Sequence, residues 1–224
     1  MNERLWRVLA DAFPKLLSAG VRVTLPLTAL SFALALLISV VVALIQYAGV
    51  RGLKQVCRFY IWIVRGTPLL VQLYLVFYGL PSAGILIDAF PAAVLVFGFN
   101  EGAYMAESVR GALESVSRGQ MEAGYCVGMN YLQIMLHVVL PQAFRTAFPA
   151  LSNSLISMLK GTSMAATITV VEMFREATVI NGVHYESLGL YAEVALIYLA
   201  FCTLLTWLQR LGEKKLASYG GEKA

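Results

Sequence analysis

The chain has 224 residues, of which 59% are hydrophobic and only 13% are charged, and its net charge is +4. Because soluble domains carry about a quarter charged residues, this composition excludes an ordinary soluble domain and predicts an all-α protein that crosses a membrane several times. In such a protein Lys and Arg report on orientation, so the charge predicts no nucleic-acid partner. The cysteines have no metal-ligand spacing, and we predict no metal site and no bound cofactor.

The hydrophobic runs predict about five transmembrane helices within residues 21–210. They are expected near residues 23–50, 59–79, 89–116, 144–166 and 187–209. Residues 1–20 have apolar side chains at helical spacing, and this amphipathic helix either lies on the membrane surface or leads into the first span. Residues 211–224 form a tail in which Gly220, Gly221 and Glu222 are expected to be disordered.

The second predicted span is interrupted by Arg65, Gly66, Thr67 and Pro68. Because Pro68 cannot donate a backbone hydrogen bond, we expect the helix to kink there, with the Thr67 side chain bonding the carbonyl that is left free. Gly66 and Pro68 are therefore candidate hinge or gate residues, although such kinks are more often static packing. Arg65 is expected to brace helices or to bind a lipid phosphate.

The positive charges next to the spans predict the orientation of the chain. If the loop after the first span is cytoplasmic, that side collects Arg51, Lys54, Arg58, Arg110, Arg118, Arg145, Arg210, Lys214, Lys215 and Lys223. The opposite side collects Arg4, Arg7, Lys15, Arg22 and Arg175. With five spans, the N-terminus lies outside, the C-terminus lies in the cytoplasm, and the segment 117–141 is cytoplasmic.

The segment 117–141 is a polar stretch between hydrophobic runs, and it predicts two short helices. Capping-box spacing occurs at Ser117 with Gln120 and at Asn130 with Gln133. Gly128 is placed to end the first helix, and Pro141 is expected to stop the second. An apolar stripe follows helical spacing through Met121, Tyr125, Met129, Leu132, Leu136 and Val139. This stripe either faces a partner or packs on the protein's own membrane ends.

The same segment resembles a family signature. It resembles the EAA loop of permeases from ATP-binding-cassette importers. The matching residues are Glu122-Ala123, then Gly128, and, after nine further residues, Val138-x-Leu140-Pro141. Gly124 stands where that loop usually has Ala. Residues 65–72, 103–111 and 159–163 are similar to the polar amino-acid subfamily, which includes histidine, glutamine, arginine and cystine permeases.

The resemblance implies a type I importer transmembrane fold in the bacterial inner membrane. It implies that the segment 117–141 is a coupling helix that contacts an ATPase through Glu122, Ala123, Gly124, Gly128, Leu140 and Pro141. The implied partners are a second permease, identical or paralogous, two ATPase subunits and an extracytoplasmic amino-acid-binding protein. The chain has no GxxxxGK[ST] phosphate loop, so we expect no catalytic residue in it and expect partners to use the ATP.

Polar side chains inside the spans are the candidates for contact with an amino-acid substrate, because a charge within a span must face protein or water. Asn100, Tyr104 and Glu107 lie on one helical face that could present oxygens to a substrate ammonium group. Lys160, Thr162 and Ser163 could meet its carboxylate. The alternative for these residues is structural pairing, of Glu107 with Arg110 and of Lys160 with Glu107 or Glu101.

A second class of function is a passive channel, or another multi-pass protein without an ATPase partner. In that case the segment 117–141 would only cap the cytoplasmic end of the bundle. No span shows the repeated small or charged ring that is typical of a selectivity element. The sequence therefore favours the importer.

Overall fold

The computed structural model describes residues 3–218, and this part of the chain is helical with no strand. Its α-helices are α1 (Glu3–Ala19), α2 (Leu25–Ala48), α3 (Leu53–Arg65), α4 (Leu69–Tyr74), α5 (Ala89–Ser115), α6 (Arg118–Cys126), α7 (Tyr131–Ile134), α8 (Leu140–Gly161), α9 (Met173–His184) and α10 (Ser187–Ser218). The predicted all-α class is confirmed. The residues Gly220, Gly221 and Glu222 lie outside the described range.

The helices α1 and α2 form one continuous rod from Glu3 to Ala48, because a π-helical turn joins them without a break. The apolar face of α1, with Val8, Ala12 and Leu16, is buried against α9 and α10. The N-terminal segment thus leads into the first span, which was one of its two predicted alternatives.

The centre of the bundle is α5, which lies between α2 and α8. Leu34 of α2 packs on Gly98 of α5, and Ile38 of α2 packs on Gly102 of α5. The second contact lies four residues further along both helices, so α2 and α5 run in the same direction. The helices α8 and α10 run in opposite directions, because Phe148 packs on Gly212 whereas Asn153 accepts a hydrogen bond from Gln209 at 3.3 Å. The helix α6, which follows α5 directly, joins these pairs: its Met121 contacts Tyr47 near the end of α2, and its Gly124 packs on Ile134 just before α8. The ends of α2, α5 and α10 and the start of α8 therefore share one end of the molecule.

The second predicted span is broken rather than kinked. The helices α3 and α4, the latter continued by π and 3-10 turns to Ala83, meet at 101°. Pro68 is the residue that precedes α4, and the Thr67 hydroxyl donates to the Ile63 carbonyl at 2.9 Å. The predicted bond from Thr67 to the carbonyl that Pro68 leaves free, that of Val64, does not form. The Gln72 amide donates to the carbonyls of Val64, at 2.8 Å, and Thr67, at 3.1 Å, so side chains satisfy the broken end of α3.

Pro141 does not stop a helix, and that prediction is wrong. It lies in the first turn of α8, where a missing N–H is tolerated. A π-helical turn over Met135–Val139 precedes it, and the Leu140 N–H bonds to the Met135 carbonyl. The chain therefore remains helical from Tyr131 to Ile168.

Three of the described helices are long and apolar enough to cross a membrane, namely Glu3–Ala48, Tyr131–Ile168 and Ser187–Leu216. The bent pair α3 and α4 adds a fourth if it counts as one span. The helix α5 has 27 residues, which is long enough, but it carries several charged side chains. The count of five spans and the orientation therefore stay predictions.

Candidate functional site: the coupling segment and the polar face of α5

The first helix of the segment 117–141 is α6, and it ends as the sequence predicts. Gly128 has φ +82°, a conformation that favours glycine. Its N–H bonds to the Tyr125 carbonyl, and the Met129 N–H bonds to the Gly124 carbonyl, which is the Schellman arrangement. Within residues 3–216, no group beyond the adjoining residues comes within 4 Å of the position that a Cβ on Gly128 would take. The glycine is therefore required by backbone conformation rather than by close packing inside this chain.

One of the two predicted capping boxes exists. The Asn130 side chain accepts from the Gln133 N–H and the Gln133 side chain accepts from the Asn130 N–H, each at 2.9 Å. The box at Ser117 is wrong, because its side chain makes no capping hydrogen bond and its carbonyl accepts from the Gln120 N–H instead. The bend between α6 and α7 is thus fixed from both sides, by Gly128 and by Asn130.

The apolar stripe divides between its two predicted roles. Met121, Met129 and Val139 pack into the protein's own core, whereas Tyr125, Leu132 and Leu136 are exposed. We call the exposed cluster at the α6–α7 bend the apolar tip; its members are Tyr125, Val127, Tyr131 and Leu132, with Val127 at 76% exposure.

The residues that the resemblance assigns to ATPase coupling differ in exposure. Glu122, Ala123, Gly128 and Pro141 are exposed, Leu140 is half-buried and Gly124 is buried. The segment is also tied to the bundle, since the Tyr47 hydroxyl at the end of α2 contacts the Met121 sulfur at 3.7 Å. A displacement of α6 therefore reaches α2 directly and α8 through the continuous helix that begins at Tyr131.

On α5, the predicted face of Asn100, Tyr104 and Glu107 meets α3 and α4. Asn100 is buried, and its amide donates to the Gln72 side-chain oxygen at 3.1 Å. The Tyr104 ring is 41% exposed and lies under the Arg65 guanidinium, 5.0 Å from the ring centroid. Arg65 thus braces α3 against α5, which is one of its two predicted roles.

Glu107 forms the structural pair that was its predicted alternative. Its carboxylate accepts from Arg110 at 2.8 Å, and the same guanidinium binds Glu114 through two contacts of 2.7 and 2.8 Å. The side chains of Glu107 and Arg110 are each 31% exposed, and that of Glu114 is 54% exposed. The carboxylate is therefore paired yet accessible.

The second group of candidates, Lys160, Thr162 and Ser163, lies elsewhere. Lys160 and Ser163 line a groove of about 550 Å³ whose other walls come from α9 and α10, and the Thr162 hydroxyl is buried and donates to the Leu159 carbonyl at 2.7 Å. Within residues 3–216 no ion pair joins Lys160 to Glu107 or Glu101, so that alternative is wrong. The two groups of candidates contact different helices in one chain.

The sequence reasoning missed a buried carboxylate. Glu172 is fully buried, caps α9 by accepting from the N–H groups of Phe174 and Arg175, and accepts from the Tyr198 hydroxyl at 3.0 Å. Burial raises the pKa of this carboxyl, and its hydrogen bonds oppose the shift. The only sequence signal is an acidic residue just before a helix, which is a weak capping signal because Glu is not among the preferred caps.

The family of binding-protein-dependent transport system inner membrane components matches residues 35–218. The chain belongs to this family. Its members are permease subunits whose ATPase activity lies in partner proteins, and for them the EAA loop and the coupling helix are typical. This permease is accordingly a multi-pass protein of the inner membrane.

Individual relatives cover nearly the whole permease. The L-cystine transport system permease protein TcyB of Bacillus subtilis is 42% identical over 215 residues, which are 96% of this chain and 92% of that protein. The arginine transport system permease protein ArtQ of the same organism is 32% identical over 200 residues, with 89% and 91% coverage.

The solved structures agree on the fold. A crystal structure of an amino acid ABC transporter with histidines superposes with a TM-score of 0.86 at 34% identity and covers 96% of this chain and 99% of that one. The inward-facing MetNI methionine transporter, at 19% identity and a TM-score of 0.75, shares the fold. The type I importer transmembrane fold predicted from the sequence is confirmed.

Proposed function

We propose that this permease is one of two membrane subunits of an ATP-driven amino-acid importer that works by alternating access. Two ATPase subunits bind its cytoplasmic side, hydrolyse ATP and drive the cycle, and an extracytoplasmic binding protein delivers the amino acid. The permease itself binds no cofactor. The names of its relatives support an amino-acid cargo, and the observation that carries the proposal is the apolar tip.

The apolar tip has the properties of an ATPase contact. Its side chains are exposed on a two-helix segment whose bend is fixed by Gly128 and by the Asn130 capping box. An exposed apolar cluster on a rigid support is the usual form of a docking surface. Because α6 contacts the end of α2 through Met121, movement of the ATPases is transmitted to the spans.

The test uses two exposed valines that lie near opposite ends of the bundle. Val127 is 76% exposed at the end of α6, whose Met121 contacts Tyr47 near the end of α2. Val183 is 70% exposed on α9, whose Met173 N–H bonds to Thr24 just before α2. We expect Val127→Asp to abolish copurification of the partner ATPase and to abolish ATP-dependent uptake. Val183→Asp should leave the ATPase bound. Equal ATPase recovery with both variants would contradict the coupling role.

For the substrate path, we propose contacts with Asn100, Tyr104 and Glu107 from one side and with Lys160, Thr162 and Ser163 from the other. The support is that all but Asn100 and Thr162 remain at least partly exposed although they lie within spans. Gly66 and Pro68, at the 101° break, are proposed as the hinge beside this path.

Glu107 and Glu114 make a matched pair for testing substrate contact, since both bind the same Arg110 guanidinium. If Glu107 contacts substrate, Glu107→Gln should raise the KM for uptake about tenfold or more, as loss of a charged hydrogen bond does. Glu114→Gln should change KM little. The same modest effect from both variants would assign Glu107 to bracing alone.

The passive-channel alternative differs in its energy source. An importer loses uptake when cellular ATP is depleted, whereas a channel continues to equilibrate its solute. Uptake that persists without ATP, together with no ATPase in the purified complex, would replace the importer with the channel.

A further inference from the structure

A groove of about 320 Å³ opens between α2, α8 and α10, and we call it the three-helix groove. Its walls are apolar apart from two side chains; they include Phe32 of α2, Phe148 and Leu155 of α8 and Leu205 of α10, and the two polar exceptions are Ser152 and Gln209. Cavities with apolar walls stay free of water. The three-helix groove therefore fits an apolar occupant.

The three-helix groove lies within helices that can cross a membrane. Its walls belong to Glu3–Ala48, Tyr131–Ile168 and Ser187–Leu216, the described helices that are long and apolar enough to do so. On α8 the lining extends from Phe144 to Ile156, which is about 18 Å at 1.5 Å per residue. One leaflet fills half of the hydrocarbon core of roughly 30 Å, or about 15 Å. The groove is therefore about as long as the acyl region of one leaflet is deep.

A basic side chain lies at the end of the groove that is nearer the start of α8. Arg145 is half-buried and precedes Ser152 by seven residues, so the two lie on the same face of α8. Within residues 3–216 no ion pair joins Arg145 to an acid. Glu213 of α10 accepts a hydrogen bond at 2.9 Å from Gln209, which lines the groove. Arg145 thus offers its guanidinium to an anion that this part of the chain does not supply.

A phospholipid carries both complementary parts in one molecule. Its acyl chain matches an apolar groove within spans, and a guanidinium binds phosphate oxygens through two parallel hydrogen bonds. Basic pockets between transmembrane helices bind lipid headgroups in the same way. A segment of another protein would instead have to bring an apolar side and an acid to the same depth.

We propose that the three-helix groove binds one acyl chain of a phospholipid whose phosphate contacts Arg145. The lipid belongs to the leaflet on the side of the coupling segment, because α8 starts at that end of the molecule. The site is distinct from the polar face of α5 and from the groove that Lys160 lines.

Phosphatidylglycerol added to the purified full-length permease tests the phosphate contact, with binding measured by native mass spectrometry. Arg145→Gln should weaken binding of this lipid about tenfold or more, as loss of a charged hydrogen bond does. Arg51→Gln is the control, because it removes an exposed charge just after α2 and should leave the affinity unchanged. Diacylglycerol, which has the same chains but no phosphate, should bind both variants alike. Equal affinities of the two variants for phosphatidylglycerol would overturn the contact with Arg145.

Photolabelling of the unchanged permease locates the acyl chain. Phosphatidylglycerol with a diazirine in one chain, added at one molecule per permease, should label residues 144–156 rather than the face of α10 around Leu196, which is 65% exposed. Ser152→Trp, which places an indole in the groove, should reduce this labelling, whereas Leu196→Trp should not. Labelling centred on Leu196 would overturn the site. A photoreactive residue at position 152 that cross-links two permease chains would also overturn it, because a second copy would then fill the groove.

Discussion

Gly124 and Ile134 pack so closely that a Cβ on Gly124 would lie 2.7 Å from Ile134 Cγ1. Both residues are buried, and they join α6 to α7 on the side opposite the apolar tip. The contact explains why this chain has glycine where the EAA loop usually has alanine. Alanine at position 134, which has no γ carbon, would make room for a methyl group, but isoleucine does not.

Gly124→Ala should therefore destabilise the coupling segment. Overpacking of a buried contact costs about 1–3 kcal/mol, and we expect a lower thermal midpoint in detergent and weaker ATPase binding. Gly119→Ala is the control, because it lies in the same helix with no neighbour within 4 Å and should be neutral or stabilising. In a chain that already carries Ile134→Ala, Gly124→Ala should lower the free energy of unfolding by less than it does in the unchanged chain. Strict additivity of the two changes would contradict the clash.

Gly128→Ala should weaken the same segment for a different reason. Its φ of +82° is unfavourable for a residue with a Cβ by about 1–2 kcal/mol. Gly128→Asn should be milder, since Asn tolerates this conformation. Gly182→Ala, in α9 and without close neighbours, should not lower the unfolding midpoint. If Ala at 128 and Ala at 182 behaved alike, backbone strain would not be the reason for Gly128.

The sequence predicted two features that depend on local hydrogen bonding, although the capping box expected at Ser117 does not form. The helix end at Gly128 and the capping box at Asn130 each involve residues within five positions of one another. The fold followed from motifs that span most of the chain. Pro141 was misread because the π-helical turn before it, which keeps the chain helical, has no signature in residue type.

Features that depend on distant packing were not predictable. The alternative that Lys160 pairs with Glu107 or Glu101 is wrong because Lys160 lines the groove beside α9 and α10. The 101° break likewise depends on Gln72, whose side chain joins the end of α3 to Asn100 on α5. Periodicity places a residue on a face of its own helix, but it does not say which neighbouring helix that face meets.

Gln72→Leu should destabilise the break between α3 and α4. It would leave the buried Asn100 amide and the Val64 carbonyl without their hydrogen bonds to Gln72. A buried polar group without a partner lowers the free energy of unfolding by about 1–3 kcal/mol. We expect a lower unfolding midpoint and impaired uptake. Gln55→Leu, at an exposed position of α3, is the control and should change neither. A double variant with Asn100→Leu should lose less than the sum of the single losses; a full sum would show that the two side chains do not interact.

Tyr198→Phe should loosen α9 from α10. The lost hydroxyl donates at 3.0 Å to the Glu172 carboxylate, which is fully buried and also caps α9 through Phe174 and Arg175. Removing a hydrogen bond to a charged group costs about 1.5–3 kcal/mol, so the unfolding midpoint should fall and proteolysis near α9 should accelerate. Tyr185→Phe, at a site with 83% exposure, removes the same atom without either effect. Glu172→Gln weakens the acceptor of the same hydrogen bond. The double variant should therefore lose less unfolding free energy than the sum of the losses of the two single variants. Full additivity of the two losses would mean that the Glu172 carboxylate stabilises α9 independently of its hydrogen bond to Tyr198 of α10.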